Sequence, residues 1–223
     1  MAIKKIIFAV LAFSMFFGVG ITAPRVLALT TPTGGTVNFA TLQKTILSVI
    51  DASVARLNNA ESKISSNTQI SPETKEETLA ALNSVEAALL SYRSKVSAAT
   101  TTEELQAINQ QIIQYLKDNK DVIRANVSAA ILDISAQAAA KAIQFLEDAE
   151  QLLNALKITC PSQKATIDTL QKQIEQLSAD IEQLNNYIQA KNVTGAKQEM
   201  KAIAALIPSM VNGIKQIQAS CLQ

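Results

Sequence analysis

Two seven-residue apolar rhythms near the C-terminus constrain this chain more than any other feature in it. Ile167, Leu170, Ile174, Leu177, Ile181, Leu184 and Ile188 recur at alternating three- and four-residue spacing, which lays one apolar stripe along a helix. After a short polar break, Ala196, Met200, Ile203, Ile207, Met210, Ile214 and Ile217 repeat the pattern. Folding the chain back at Asn192, with Asn192-Val193-Thr194-Gly195 read as the turn, pairs Ile188 with Ala196, Leu184 with Met200, Ile181 with Ile203, and finally Ile167 with Ile217. Helices from about Pro161 to Ala190 and from about Thr194 to Ala219 are roughly 45 Å and 40 Å long at about 1.5 Å per residue. Their far ends therefore meet, and a cysteine stands at each, Cys160 and Cys221. A bridge across this loop of about 60 residues contributes roughly 4 kcal/mol by the chain-entropy estimate.

Isoleucine and leucine alternating in a heptad also suit a parallel two-stranded coiled coil between two copies. The flanking Gln171, Gln173, Ser178, Asp180, Asn185 and Tyr187 offer few complementary charges for choosing such a partner. The matching stripe downstream is tethered by a short turn and so present at high effective concentration. An intramolecular hairpin in a monomer is expected. Pro208 lies inside its second helix and removes one backbone hydrogen bond, so a bend is expected there without loss of phase.

Composition extends the helical reading to most of the chain. Between Gly35 and Gly195 there is no glycine, and Pro72 and Pro161 are the only prolines in that stretch. The turn residues a sheet needs are missing, while the helix formers Ala, Leu, Ile, Gln, Glu and Lys dominate. The class is all-α. A first helix, about Asn38 to Ser65, carries Phe39, Leu42, Ile46, Val49, Ile50, Leu57 and Ile64 at helical spacing. Ser71-Pro72-Glu73 opens a second with a capping serine, proline at the first helical position and an acid at the positive end of the helix dipole. Its stripe is Leu79, Leu82, Val85, Leu89, Tyr92 and Val96. Thr101 and Glu104 form a capping box for a third, whose apolar residues run from Leu105 to Leu156 with one polar interruption, Lys117 to Asp121. That interruption is either a turn or a solvated stretch of a helix about 80 Å long. From Val122 to Ala142 the third helix is apolar on nearly every face, as in a helix flanked on several sides.

The expected architecture is antiparallel: two three-helix bundles sharing the long central helix, with an N-terminal part 38–117 and a C-terminal part 118–223. A turn at 117–121 would instead give one compact four- or five-helix bundle. Upstream, Lys4 and Lys5, the apolar run Ile6 to Ile21, and Val26-Leu27-Ala28 read as a secretory signal spanning residues 1–28, cleaved after Ala28. Residues 29–37, rich in Thr, Pro and Gly, read as a linker. The signal is the chain's only membrane segment in this reading, serving as an anchor if it is retained. Export places the protein in the periplasm, at the cell surface or outside the cell, where two thiols in one chain pair as Cys160–Cys221.

Chemistry is sparse. The chain has no histidine, which removes the commonest general base and the commonest transition-metal ligand together. With both cysteines paired there is no thiolate cluster for zinc or iron. Glu73, Glu76 and Glu77, then Glu103 and Glu104, then Glu147, Asp148 and Glu150 cluster locally, but a di-iron bundle site needs a Glu-x-x-His motif, so these read as helix starts and solvated faces. No catalytic residue, metal site or cofactor site is assigned. Tyr92, Tyr115 and Tyr187 fall in apolar stripes and read as core-edge residues. The Asn-Val-Ser and Asn-Val-Thr sequons at Asn126 and Asn192 read as incidental. The full chain has 20 basic and 19 acidic residues; without Lys4, Lys5 and Arg25 the balance is 17 against 19, a net −2. No basic stripe for nucleic acid is present.

The layout of signal, Thr/Pro/Gly linker and long coiled-coil-like helices resembles small exported all-helical proteins of bacteria that have no assigned function, with no specific motif shared. That resemblance implies no activity. The expected function is that of a non-enzymatic structural or protein-interaction module of the cell envelope or extracellular space with a protein partner. The alternative is a carrier that holds an apolar ligand inside the helical bundle.

Overall fold

The computed structural model describes residues 38–221; the signal segment, its cleavage point and the linker lie outside the described residues. Helix α1, Phe39–Ser66, starts where the Asn38 side chain accepts from the Ala40 N–H at 2.9 Å. Helix α2, Pro72–Ala98, follows Ser71, whose Oγ accepts from the Thr74 N–H, with Pro72 at the first helical position. Helix α3 runs from Thr102 to Thr159, helix α4 from Lys164 to Gln189 after a short 3₁₀ turn at Pro161–Gln163, and helix α5 from Val193 to Cys221. Among the described residues there are five α-helices and no strand. The fold is all-α.

The chain runs as helix straight through Lys117 to Asp121, so no reversal occurs there. No glycine or proline interrupts the backbone, and Lys117, Asp118, Lys120 and Asp121 are exposed. Side chains that often cap or break a helix are used along it instead. Asn119 Nδ2 donates to the Tyr115 carbonyl, and Gln114 Nε2 donates to Asp118 Oδ1 one turn on. At its start, α3 carries the expected capping box: Thr101 Oγ1 accepts from the Glu104 N–H, while the Glu104 carboxylate accepts from the Thr100 and Thr101 N–H groups. Those two N–H donors hold the Glu104 carboxyl below the usual carboxylate range.

By their contacts the described residues form two units, 38–130 and 131–221, with the division falling inside α3. In the first unit, contacts between α1 and α2 run antiparallel: Gln43 Nε2 donates to the Val96 carbonyl, Arg93 pairs with Asp51 at 2.7 Å, and Lys75 Nζ donates to the Ser65 carbonyl. Ile46, Ile50, Leu57 and Ile64 of α1 and Leu82, Val85, Leu89 and Val96 of α2 fill the core, together with Leu105 and Ile112 of α3. The connection between α1 and α2 is itself tucked in. Asn67, Gln69 and Ile70 are buried, and Asn67 Oδ1 accepts from the Gln69 N–H in a tight side-chain turn.

One core position differs from the sequence reading. The stripe placed Leu79 inside, but Leu79 is only partly covered, whereas its neighbour Thr78 has no exposed surface. The hydroxyl makes this possible. Thr78 Oγ1 donates to the Thr74 carbonyl at 2.6 Å and lies 3.2 Å from the Asn126 carbonyl of α3, so a polar atom is satisfied at the α2–α3 contact. Thr78→Val keeps the shape and removes that hydroxyl. Denaturant unfolding is expected to show a loss of about 1 kcal/mol, and a variant as stable as the parent would remove the hydroxyl from the account of this contact.

Candidate interaction surface

The second unit is built around the hairpin. Asn192, placed by the sequence reading as the first residue of a four-residue turn, divides its work between two helices. The α4 backbone leaves its last turn with the Lys191 N–H donating to the Ile188 carbonyl and the Asn192 N–H donating to the Tyr187 carbonyl. Lys191 sits between them at φ 52°, the left-handed position that closes a helix end and is usually glycine. Asn192 then opens α5: its Oδ1 accepts from the Gly195 N–H at 3.0 Å. The turn is therefore shorter than Asn192–Gly195, and Val193, Thr194 and Gly195 already belong to α5.

Gly195 has a packing role. A Cβ there would come 2.5 Å from Tyr187 Cδ1, so the aromatic ring lies directly on the α5 backbone. Further along, Gln173 Nε2 donates to Ser209 Oγ at 3.0 Å, and a Cβ on Gly213 would come 2.9 Å from Leu170 Cδ2. These three contacts share one register about Lys191. Tyr187 and Gly195 each stand four residues from it, Gln173 and Ser209 eighteen, and Leu170 and Gly213 twenty-one and twenty-two. At the open end the Cα atoms of Cys160 and Cys221 are 5.8 Å apart with the sulfurs at bonding distance.

Of the fourteen stripe residues, Ile167, Leu170, Ile174, Leu177, Ile181, Leu184, Ala196, Met200, Ile203, Ile207, Met210, Ile214 and Ile217 are buried, and Ile188, next to the turn, is partly buried. The same core takes in Ala138, Ala139, Ala142, Phe145, Ala149, Leu153 and Leu156 of α3. Buried Ser135 satisfies its hydroxyl within α3 by donating to the Ile131 carbonyl at 2.8 Å. Helix α5 continues unbroken past Pro208. Outside the seam, α4 and α5 turn Gln183, Glu182, Asn212 and Lys215 to solvent.

Two carboxylates lie at the seam. Asp180 is 9% exposed, with one oxygen accepting from Gln176 Nε2. On α5, burial, then the Asp180 charge, raises the carboxyl of the half-buried Glu199 above its usual range. Glu73, Glu76, Glu77, Glu103, Glu147, Asp148 and Glu150 are exposed, and no three Cys, Asp or Glu side chains among the described residues come together as a metal site. The tyrosines are taken up in packing. Tyr92 and Tyr115 meet edge-on with centroids 6.1 Å apart, Lys95 lies over the Tyr92 ring, and Tyr115 reaches the Ser84 carbonyl. Asn126 is held within α3, its Nδ2 donating to the Val122 carbonyl. An open groove on α1 is lined by Gln43, Lys44, Leu47 and Asp51 among others.

Comparison with known protein families, with curated proteins and with solved structures finds no match to this chain.

The turn residues lead to two substitutions of opposite sign. Asn192→Ala removes the α5 cap and is expected to cost about 1 kcal/mol. Lys191→Gly relieves the left-handed strain and is expected to stabilise by about 0.5–1 kcal/mol. Denaturant midpoints of the two variants check this, and equal shifts in one direction would refute the assignment of the two roles.

Proposed function

We propose that this protein is an exported, non-enzymatic helical module that serves a structural or protein-interaction role in the cell envelope or extracellular space. The observation that carries the reading is the hairpin's closure. Its apolar stripe is spent on its own core, its tip is capped at both helices, and its open end brings Cys160 and Cys221 to bonding distance. Such a bond persists in oxidising compartments, in keeping with the signal-like first 28 residues. A rigid arm with polar outer faces suits display to another protein better than chemistry on a small molecule. Among the described residues no helix is long and apolar enough to cross a membrane.

Two measurements on protein from its own host test the proposal. Fractionation with N-terminal sequencing is expected to find the chain outside the cytoplasm, beginning at Leu29. Full-length chain confined to the cytoplasm would overturn export. Native mass spectrometry with lipid extraction is expected to give the mass of the bare polypeptide. A stoichiometric apolar ligand would replace the module with the carrier.

A further inference from the structure

We propose that Asn192, at the tip of the α4–α5 hairpin, is a glycosylation site: its side-chain nitrogen takes a sugar from a lipid-anchored sugar diphosphate as the exported chain matures. This rests on the export proposed above, because sugars are joined to Asn-x-Ser/Thr triplets on exported chains. The chain holds two such triplets, Asn126-Val127-Ser128 and Asn192-Val193-Thr194. Both look incidental in sequence; the fold separates them.

Asn126 is unsuited. It lies deep inside the 58-residue helix α3, and all three residues of its triplet are half-buried. Its Nδ2 donates to the Val122 carbonyl at 3.0 Å, so a sugar on that nitrogen would stand against the helix backbone one turn back. Its own carbonyl lies 3.2 Å from Thr78 Oγ1 at the α2–α3 contact. Presenting this triplet to an enzyme would require the interior of α3 to melt.

Asn192 differs at each of these points. It is exposed, as are Gln189, Ala190, Lys191 and Thr194. The bond that fixes its side chain is accepted by Oδ1, from the Gly195 N–H at 3.0 Å. An N–H can only donate, so the oxygen faces α5 and the planar amide carries Nδ2 away from that N–H. No hydrogen bond among the described residues uses this nitrogen. Cap and sugar therefore use different atoms of one amide, and the folded hairpin can keep the first while carrying the second. Opening the triplet disturbs only the first turn of α5, next to the left-handed Lys191.

The chemistry is a single substitution. Nδ2 forms a bond to the anomeric carbon of the sugar as the bond from that carbon to the diphosphate oxygen breaks. The lipid diphosphate leaves with the electron pair, and one Nδ2 proton passes to a base of the transferase. The side chain remains an amide, with Oδ1 still an acceptor and one N–H left. The link is covalent and survives denaturation. In native mass spectrometry the sugar is therefore counted with the polypeptide and is told apart from a bound apolar ligand.

Glycopeptide mapping of protein taken from its own host tests the site, with N-terminal sequencing of the same sample. The expected result is a chain that begins at Leu29 and carries sugar on Asn192 and none on Asn126. Thr194→Ala, made in that host, leaves the Asn192 cap in place and is expected to abolish the added mass, whereas Thr194→Ser is expected to retain it. Bare Asn192 on a chain that begins at Leu29 overturns the glycosylation site and leaves export standing. Sugar on Asn126, or an added mass that survives Thr194→Ala, also overturns it. A full-length chain confined to the cytoplasm overturns export and this site together.

Discussion

An antiparallel helix pair is most vulnerable in its axial register, because a shift of one residue turns its apolar stripe off its partner. In the α4–α5 hairpin, contacts at both ends and in the middle hold that register. The tip is set by backbone geometry: Lys191 in the left-handed region ends α4, and Asn192 starts α5 with its own side chain. Just inward, Tyr187 rests on Gly195, where any side chain would collide with the ring. Midway, Gln173 meets Ser209, and beyond them Leu170 sits over Gly213. Only in this register do Cys160 and Cys221 arrive together. The third core face, supplied by the alanines of α3, then has a defined groove to enter.

Strongly periodic features could be read from the chain before folding, and locally decided ones could not. Glycine-free composition and the three-four spacing specify helices because both reflect backbone entropy and one-sided burial, which act over many residues at once. The capping residues Ser71, Thr101 and Glu104 were legible for a similar reason, since each acts within one turn of its own helix. The turn was misplaced because glycine marks flexibility in sequence, whereas here Gly195 answers a steric demand from Tyr187 and lysine occupies the left-handed site. Thr78 was missed because its burial depends on a carbonyl of α3, 48 residues away. The polar run at 117–121 was ambiguous because Asn and Asp suit both turns and solvated helix, and the deciding bonds, Asn119 to Tyr115 and Gln114 to Asp118, are made only once the helix exists.

The polar groups at the seams show what a slim aliphatic fold tolerates. Thr78 and Ser135 are buried and satisfied by carbonyls of neighbouring or own helices. Asp180 keeps a glutamine donor, while Glu61 leaves one oxygen without one. Hydroxyls and amides thus enter these interfaces at little cost, and carboxylates enter at a cost that depends on their charge. The exposed acids are spread along solvated helix faces. What the fold does well is hold a long hairpin in one shape.

The pairing of Cys160 with Cys221 is the measurement on which this account depends most directly, since the two residues, 61 apart in sequence, meet only if the hairpin closes in the register described. Peptide mapping of the protein from its own host under non-reducing conditions is expected to yield one peptide pair joining Cys160 to Cys221 within a single chain. Two free thiols, or a bridge between separate chains, would contradict it.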